Sequence, residues 1–162
     1  MRRIGISGGI GSGKSVVSRL LRIMGYSVYD TDSKAKRLME SSLEVVQKLS
    51  ECFGRDIYHN SRLNRGLLSS RVFGESDKIV LLNSIVHPVV RFDFYRWSES
   101  LNEEICFVES AILYESRFDE LVDEVWTVTA PEELRISRVR QRSGLTEEEI
   151  KKRMAAQLSE EE

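Results

Sequence analysis

The first thirty residues contain two short apolar runs, with a glycine-rich segment and a helical pattern between them. Residues 3–7 form an apolar run that ends in glycines and predicts a strand, and residues 26–29 predict a second strand. A helix is predicted from Lys14 to Met24, ended by Gly25. Its apolar residues recur at helical spacing on one face: Val16, Val17, Leu20, Leu21 and Met24. This order of elements is typical of the start of a parallel α/β sheet.

The stretch from residue 33 to about residue 101 has helical spacing and no convincing strand. Ser41 and Glu44 have the spacing of a capping box, which predicts a helix that ends at Gly54. The polar segment 56–62 is expected to be a loop. Pro88 is expected to interrupt a helix or to begin a new one. The other predicted helices of this stretch cover residues 64–73, 77–86 and 89–101. We expect a helical insertion packed on the sheet.

Strand patterns return in the last third of the chain. Residues 105–109 and 124–128 each form a short apolar run of the buried-strand type. Pro131 is expected to begin a helix that reaches about residue 142. Thr146 and Glu149 form a second capping box, which predicts a terminal helix. The pattern as a whole predicts an α/β fold.

Composition narrows the class of protein. The chain has 162 residues, of which 41% are hydrophobic, so it has enough apolar residues to form a core. Its formal net charge of -2 argues against bulk attraction to nucleic acid or to a membrane surface. Two cysteines, Cys52 and Cys106, lack metal-site spacing and favour a reducing, cytoplasmic location. The start of the chain does not resemble a signal peptide.

One motif points directly to chemistry. Residues 8–15 satisfy the pattern G-x-x-x-x-G-K-[ST] between a predicted strand and a predicted helix. In this pattern the main-chain N–H groups and the helix N-terminus bind phosphate, Lys14 reaches the β- and γ-phosphates, and Ser15 contacts Mg²⁺. We call this segment the phosphate loop: Gly8, Gly9, Ile10, Gly11, Ser12, Gly13, Lys14 and Ser15. It predicts a nucleoside triphosphate as ligand without identifying the acceptor of the phosphate.

Acidic residues follow the predicted strands. Asp30 and Asp32 come at the end of the second strand, where one carboxylate would cap the next helix and the other would serve chemistry. Asp32 is favoured for chemistry, because in an alternating strand it shares a face with Asp30 and lies nearer the crevice. Glu109 ends the third strand, at a position suited to a metal shell. Glu115, in the following loop, is either a functional or a surface carboxylate.

Basic residues cluster on the helix after Pro131. Arg135, Arg138 and Arg142 are three and four positions apart, so they share one face. They form either a solvated face or a lid that closes over a triphosphate. His87 precedes Pro88 and has no partner at metal-ligand spacing, so a structural hydrogen bond is the simpler reading.

The ordered series of motifs resembles the dephospho-CoA kinase family over essentially the whole chain. The resemblance rests on the phosphate loop, the D-x-D element at 30–32, Phe53-Gly54, Leu63-Asn64-Arg65, Val72-Phe73, His87-Pro88, the segment 112–115, and then Arg138, Gln141-Arg142 and Gln157. The phosphate loop alone is generic to its superfamily. The order of the remaining motifs is much more specific.

This resemblance implies a reaction and a set of roles. The enzyme would transfer the γ-phosphoryl group of ATP to the ribose 3′-hydroxyl of dephospho-CoA, with Mg²⁺. Asp32 would orient or deprotonate the hydroxyl, and Arg138 would assist in catalysis with Lys14. Ser15 would hold the metal, with Asp32 or Glu109 acting through water. The expected contacts to the acceptor come from Asp32, Arg65, His87 and Glu115, and those to the nucleotide come from the phosphate loop, Arg138 and Arg142.

The resemblance also implies an architecture, the P-loop kinase fold. A parallel sheet flanked by helices would form the nucleotide-binding core over residues 1–33 and 103–130. A helical insertion over 34–102 would bind the acceptor, and residues 131–162 would form the lid and terminal helix. We expect a cytoplasmic monomer or weak oligomer, with small-molecule substrates and no nucleic-acid or membrane partner.

Three features depart from the family pattern. Ala111 replaces a proline, which is expected to loosen its loop, and Glu109 replaces an aspartate. Family members continue past the lid into a segment that supplies the last of five strands and part of the adenine pocket, and this sequence stops before it, at Glu162. An inactive nucleotide-binding fragment is therefore one alternative. The others are another small-molecule P-loop kinase and a GTPase-like switch, although the guanine-reading N-K-x-D is missing from the sequence.

Overall fold

The computed structural model describes residues 1–155 and residue 157. It divides the chain into two compact units, one formed by Met1–Asp30 together with the chain from Leu101 onward and the other by Thr31–Ser100. The strands are β1 (Arg2–Ser7), β2 (Ser27–Asp30), β3 (Tyr58–His59), β4 (Arg62–Leu63), β5 (Ile105–Glu109) and β6 (Glu124–Thr127). The helices are α1 (Lys14–Ile23), α2 (Thr31–Ser41), α3 (Leu43–Phe53), α4 (Arg65–Val72), α5 (Ser76–Glu99), α6 (Glu132–Ser143) and α7 (Glu147–Ala155).

The first unit is built on a parallel sheet with the strand order β2-β5-β1-β6. β1 lies between β5 and β6, with Ile4 opposite Phe107. Ile4, Ile6, Leu21 and Phe107 form a buried cluster between the sheet and α1. Because all four strands run in the same direction, their carboxyl ends meet at one edge, where the phosphate loop leaves β1. The predicted α/β fold with a parallel sheet is confirmed.

The buried side of α1 differs from the predicted one. Lys14, Ser18 and Leu21 are its buried residues, whereas Leu20 and Met24 are 54% and 69% exposed. Positions 14, 18 and 21 lie on one helical face, and Lys14 is turned inward by its contacts with the phosphate loop. The buried face of α1 therefore includes Lys14 as well as Leu21, and part of the apolar stripe faces solvent.

The second unit is helical and has its own core, with α2 packed against α3 and α5. One buried cluster of this unit comes from α3, α4, α5 and the segment between α3 and α4: Val45, Leu49, Phe53, Ile57, Leu63, Leu68, Val72 and Ile85. The expected loop at 56–62 contains a small antiparallel hairpin of β3 and β4. Asn60 and Ser61 both have positive φ, as a two-residue hairpin turn requires.

Two local predictions in this unit are wrong. Ser41 is the last residue of α2, so it does not cap α3; Ser42 takes that position without a side-chain cap bond. Pro88 lies inside a continuous α5. The proline is exposed, while Ile85, Val86 and other residues of α5 are buried, so packing holds the helix across the missing N–H bond.

The final helices agree with the sequence pattern. α6 follows Pro131 and ends at Gly144, which has a left-handed conformation. The second capping box is present: the Glu149 N–H donates to Thr146 Oγ1 over 3.3 Å, and the Thr146 N–H donates to Glu149 Oε2 over 2.8 Å. Within the described part of the chain, no helix combines the length and apolar character needed to cross a bilayer.

Candidate active site

The phosphate loop connects the central strand β1 to the N-terminus of α1. Gly11 has φ +80, and a Cβ added there would lie 2.6 Å from the main-chain oxygen of Arg135. Only glycine accommodates both the conformation and the close approach of α6. The glycines of the motif therefore fit the loop against the first turns of α6.

The loop has the donors of an anion site. The first turn of α1 contains no acidic residue, and its N-cap residue, Gly13, has no side chain that could accept a bond from the first N–H groups. Among the described residues, the N–H groups of Gly11, Gly13 and Ser15 have no main-chain acceptor. The Ser12 hydroxyl is buried and has no hydrogen-bond partner in the same part of the chain. Unsatisfied donors at a helix N-terminus suit phosphate oxygens.

Lys14 supplies the positive charge of this site. The residue is only 9% exposed, and its Nζ donates to the carbonyl oxygens of Gly8 and of Gly9, the latter over 3.2 Å. A buried ammonium held by neutral carbonyls gains from a nearby anion. Ser15, the next residue, is exposed at the start of α1.

Two arginines of α6 donate hydrogen bonds to main-chain carbonyls of the loop. Arg135 is 9% exposed and its Nε donates to the Ile10 carbonyl over 3.1 Å. Arg138 Nη1 donates to the carbonyls of Ser12 over 3.0 Å and of Gly11 over 3.3 Å. Arg142 is exposed. The helical spacing of Arg135 and Arg138 placed both on one face, and the structure shows that both bind main-chain carbonyls of the phosphate loop.

The carboxyl edge of the sheet carries a pair of acidic residues. Asp30 at the end of β2 is the register partner of Glu109 at the end of β5. Asp32 is not in the strand: it lies in the first turn of α2, exposed, in the second unit. The argument from strand alternation therefore fails for Asp32, because the chain is already helical at Thr31. Asp30 is the acidic residue that lies in the strand, beside Glu109.

The loop after β5 carries Glu115 and Ala111. Glu115 is exposed, two residues after Leu113, whose side chain is buried in the first unit. The turn that contains Glu115 is closed by two main-chain bonds: the Phe118 N–H donates to the Leu113 carbonyl, and the Ser116 N–H donates to the Ile112 carbonyl. No group of three or more potential metal-ligating side chains occurs among the described residues.

The other predicted acceptor residues lie in the second unit. Arg65 begins α4 and pairs with Glu40 of α2 over 3.1 Å. His87 is half-buried on α5, and this burial lowers its pKa, with a smaller contribution from Arg91. A cavity of about 490 Å³ lies between α2 and α5 and is lined by apolar, aromatic and charged side chains, among them Lys34, Phe92, Arg96 and Trp97.

The comparison with protein families decides the identity of this arrangement. The model of the dephospho-CoA kinase family, CoaE, matches residues 2–162. The chain belongs to the dephospho-CoA kinase family. The resemblance inferred from the ordered motifs is therefore confirmed, and so are the kinase activity class and the use of ATP that the family implies.

Individual relatives agree with this assignment. The dephospho-CoA kinase of Porphyromonas gingivalis is 45% identical over 157 residues, which cover 97% of this chain and 78% of the relative. That of Corynebacterium diphtheriae is 39% identical over 166 residues, covering 100% of this chain and 83% of the relative. The chain thus spans about four fifths of their length.

Solved structures confirm the P-loop kinase fold. The structure of TT1252 from Thermus thermophilus is 37% identical, with a TM-score of 0.84 over 99% of this chain and 82% of that one. Dephospho-CoA kinase from Campylobacter jejuni has a TM-score of 0.69 at 23% identity, over 97% of this chain and 81% of that one. Shikimate kinase from Acinetobacter baumannii shares the fold more distantly, with a TM-score of 0.53 at 16% identity over 96% of this chain and 73% of that one.

Proposed function

We propose that this kinase transfers the γ-phosphoryl group of ATP to the ribose 3′-hydroxyl of dephospho-CoA. The observation that carries the proposal is the complete phosphate loop, with unsatisfied N–H donors and a buried Lys14, in a chain of this family. Phosphoryl transfer depends mainly on positioning and on stabilising negative charge, and this loop supplies donors for both.

The first unit would hold the nucleotide. The N–H groups of Gly11, Gly13 and Ser15 would bind phosphate oxygens, and Lys14 would exchange its carbonyl partners for the β- and γ-phosphates. Arg138 and Arg142 add positive charge from the lid region, which we assign to 131–162. Arg135 contributes indirectly, because its guanidinium is already committed to the Ile10 carbonyl.

The residues present also suit Mg²⁺. This ion binds through one or two carboxylates together with substrate phosphates and a hydroxyl, and it neutralises charge on the transferred group. Ser15 would provide the hydroxyl. Glu109 and its neighbour Asp30 would provide carboxylate oxygens at the sheet edge, directly or through water.

The second unit would hold the acceptor, as proposed for residues 34–102. Asp32, at the start of α2, would accept the proton of the 3′-hydroxyl as its oxygen attacks the γ-phosphorus and ADP leaves. Arg65 and His87 would contact the acceptor, as would Glu115 from the first unit. The pairing of Arg65 with Glu40 fixes the guanidinium at the α2 side of the unit.

The cavity between α2 and α5 supports an acceptor of this class. It combines the rings of Phe92 and Trp97 with the cations Lys34 and Arg96, and it also contains Asp93, which lies 4.0 Å from Lys34 Nζ. Aromatic faces beside positive charges suit a ligand with both a ring and phosphate groups. Phe92 is 62% exposed, so Phe92→Ala tests this contact without opening the core: the KM for dephospho-CoA should rise while the KM for ATP stays constant.

Asp32→Asn is the central test. The matched control is Asp77→Asn, because Asp77 occupies the first turn of α5 as Asp32 occupies that of α2, and both are exposed. In a coupled assay with ATP, Mg²⁺ and dephospho-CoA, we expect kcat to fall by about 10²–10⁴-fold for Asp32→Asn. Asp77→Asn should remain near wild type, and both variants should keep the wild-type circular dichroism. Near-wild-type turnover by Asp32→Asn would remove it from the mechanism.

An acceptor panel tests the substrate itself. Because shikimate kinase shares the fold at a distance, the panel includes shikimate as an alternative phosphate acceptor, together with nucleosides. Transfer to one of these without transfer to dephospho-CoA would contradict the proposed reaction. We also propose a monomer or weak oligomer. We propose a cytoplasmic location, where the two free cysteines among the described residues would stay reduced.

A further inference from the structure

The Ile10 residue of the phosphate loop is held from two sides. Its N–H donates to Gln157 Oε1 over 2.8 Å, and its carbonyl accepts from Arg135 Nε over 3.1 Å. Gln157 makes a second bond in the opposite direction, because its Nε2 donates to the Ala111 carbonyl over 3.0 Å. One side-chain amide therefore joins the phosphate loop to the loop that follows β5.

Both ends of this bridge are anchored. Gln157 follows the C-terminus of α7, and its own N–H donates to the Met154 carbonyl over 3.1 Å. α7 is fixed at its start by the capping box of Thr146 and Glu149. On the other side, the turn after Ala111 is closed by main-chain bonds and held by the buried Leu113. The position of the Gln157 side-chain amide is therefore fixed both by α7 and by the turn after Ala111.

The two partners of the bridge require a side chain that both donates and accepts a hydrogen bond. Ala111 presents an acceptor and Ile10 presents a donor, so the bridging group must both donate and accept. A carboxylate offers no donor to Ala111, and it would add a negative charge beside a phosphate site. Glutamine satisfies both partners and stays neutral, leaving the positive field of the loop unchanged.

We propose that Gln157 is a positioning residue that pre-organises the phosphate loop for nucleotide binding. A glycine-rich loop loses much conformational freedom when it is ordered around a ligand, and this loss weakens affinity. The bridge orders the loop beforehand at Ile10, between the strand that ends at Ser7 and the helix that begins at Lys14. The inference rests on the proposed nucleotide site and is independent of which acceptor is phosphorylated.

Direct titration with nucleotide tests this role. Gln157→Leu keeps the approximate size of the side chain and removes both hydrogen bonds. The control is Gln47→Leu, because the exposed Gln47 also uses its amide in one side-chain bond, to Glu51 on α3 of the second unit. By calorimetry without acceptor, we expect Kd for ADP and for ATP to rise about tenfold with Gln157→Leu, equivalent to ~1.4 kcal/mol, and to stay constant with Gln47→Leu.

Kinetics and a second pair of variants separate positioning from structural support. With Gln157→Leu the KM for ATP should rise while the KM for dephospho-CoA does not. Gln157→Glu and Gln157→Leu both lose the bond to Ala111, and Gln157→Glu keeps an acceptor for the Ile10 N–H. Because Gln157→Glu adds a negative charge beside the phosphate site, we expect it to bind nucleotide less tightly than Gln157→Leu. Gln157→Asn keeps the amide but shortens its reach, so it should lose affinity even if the leucine variant does not fold.

Two outcomes would decide against the role. If nucleotide Kd is unchanged or lower in the folded variants while the melting temperature drops, Gln157 only supports α7. If Gln157→Glu binds as tightly as wild type, the donor to Ala111 is irrelevant. Failure of the proposed reaction would give a different result. The wild type would bind ATP more tightly than the Gln157 variants, as predicted, and yet transfer no phosphoryl group to dephospho-CoA.

Discussion

Replacing Gly11 by alanine tests how closely the phosphate loop is fitted to α6. Gly11 has φ +80, and the added Cβ would lie 2.6 Å from the Arg135 carbonyl oxygen and 3.0 Å from the Arg135 Cα. These are main-chain atoms of α6, so the clash cannot be relieved by rotating a side chain. Either the loop or the helix must shift.

The free energy of unfolding that Gly11→Ala is expected to lose has two parts. An L-residue in the left-handed region costs about 1 kcal/mol relative to glycine. Over-packing against a fixed backbone adds roughly 1–3 kcal/mol. Gly144→Ala separates these parts, because Gly144 also has positive φ, +67, while nothing lies within 4 Å of its added Cβ. We therefore expect about 2–4 kcal/mol for Gly11→Ala and about 1 kcal/mol for Gly144→Ala.

Urea unfolding of the two variants measures the difference in their free energies of unfolding. Titration with ATP then measures whether a displaced loop binds nucleotide less tightly. The midpoint should fall further for Gly11→Ala at an unchanged slope. Since a shift of the loop also displaces its N–H donors, ATP affinity should fall for Gly11→Ala and stay near wild type for Gly144→Ala. Equal losses of stability in the two variants would refute the steric argument and leave only the conformational cost of a left-handed alanine.

Three further outcomes are expected. Burial lowers the pKa of His87 below its ordinary value of 6.5, so as pH falls the unfolded state binds the proton before the folded state does. The free energy of unfolding should therefore fall as pH drops below about 6.5, and urea titrations at several pH values should show a weaker pH dependence for His87→Gln. Thr146→Ala should lower the free energy of unfolding by about 1 kcal/mol, while Ser42→Ala, at an N-cap without a side-chain bond, should have little effect. Arg138→Met should reduce kcat/KM for ATP by about 10²-fold, whereas a similar reduction with the exposed Arg140→Met would show a general charge effect.

Patterns contained within a few neighbouring residues were predicted well. The phosphate loop, the predicted strands and the capping box at Thr146 each depend on local spacing, and all are present in the structure. The family was also predictable, because its motifs occur in a fixed order along the chain. The failed capping box at Ser41 shows the limit of such patterns: its spacing was right, but α2 extends through that serine.

What sequence alone determined is the set of local elements and the class of chemistry; the tertiary structure decided which side chains meet. The buried face of α1 includes Lys14 and leaves Leu20 exposed, and the register of β2 with β5 brought Asp30 beside Glu109. The bonds of Ile10 to Arg135 and Gln157 join positions 125 and 147 residues apart. Helix and strand periodicity carries no information over such separations, because these contacts depend on how α6 and α7 pack around the loop rather than on neighbouring residues.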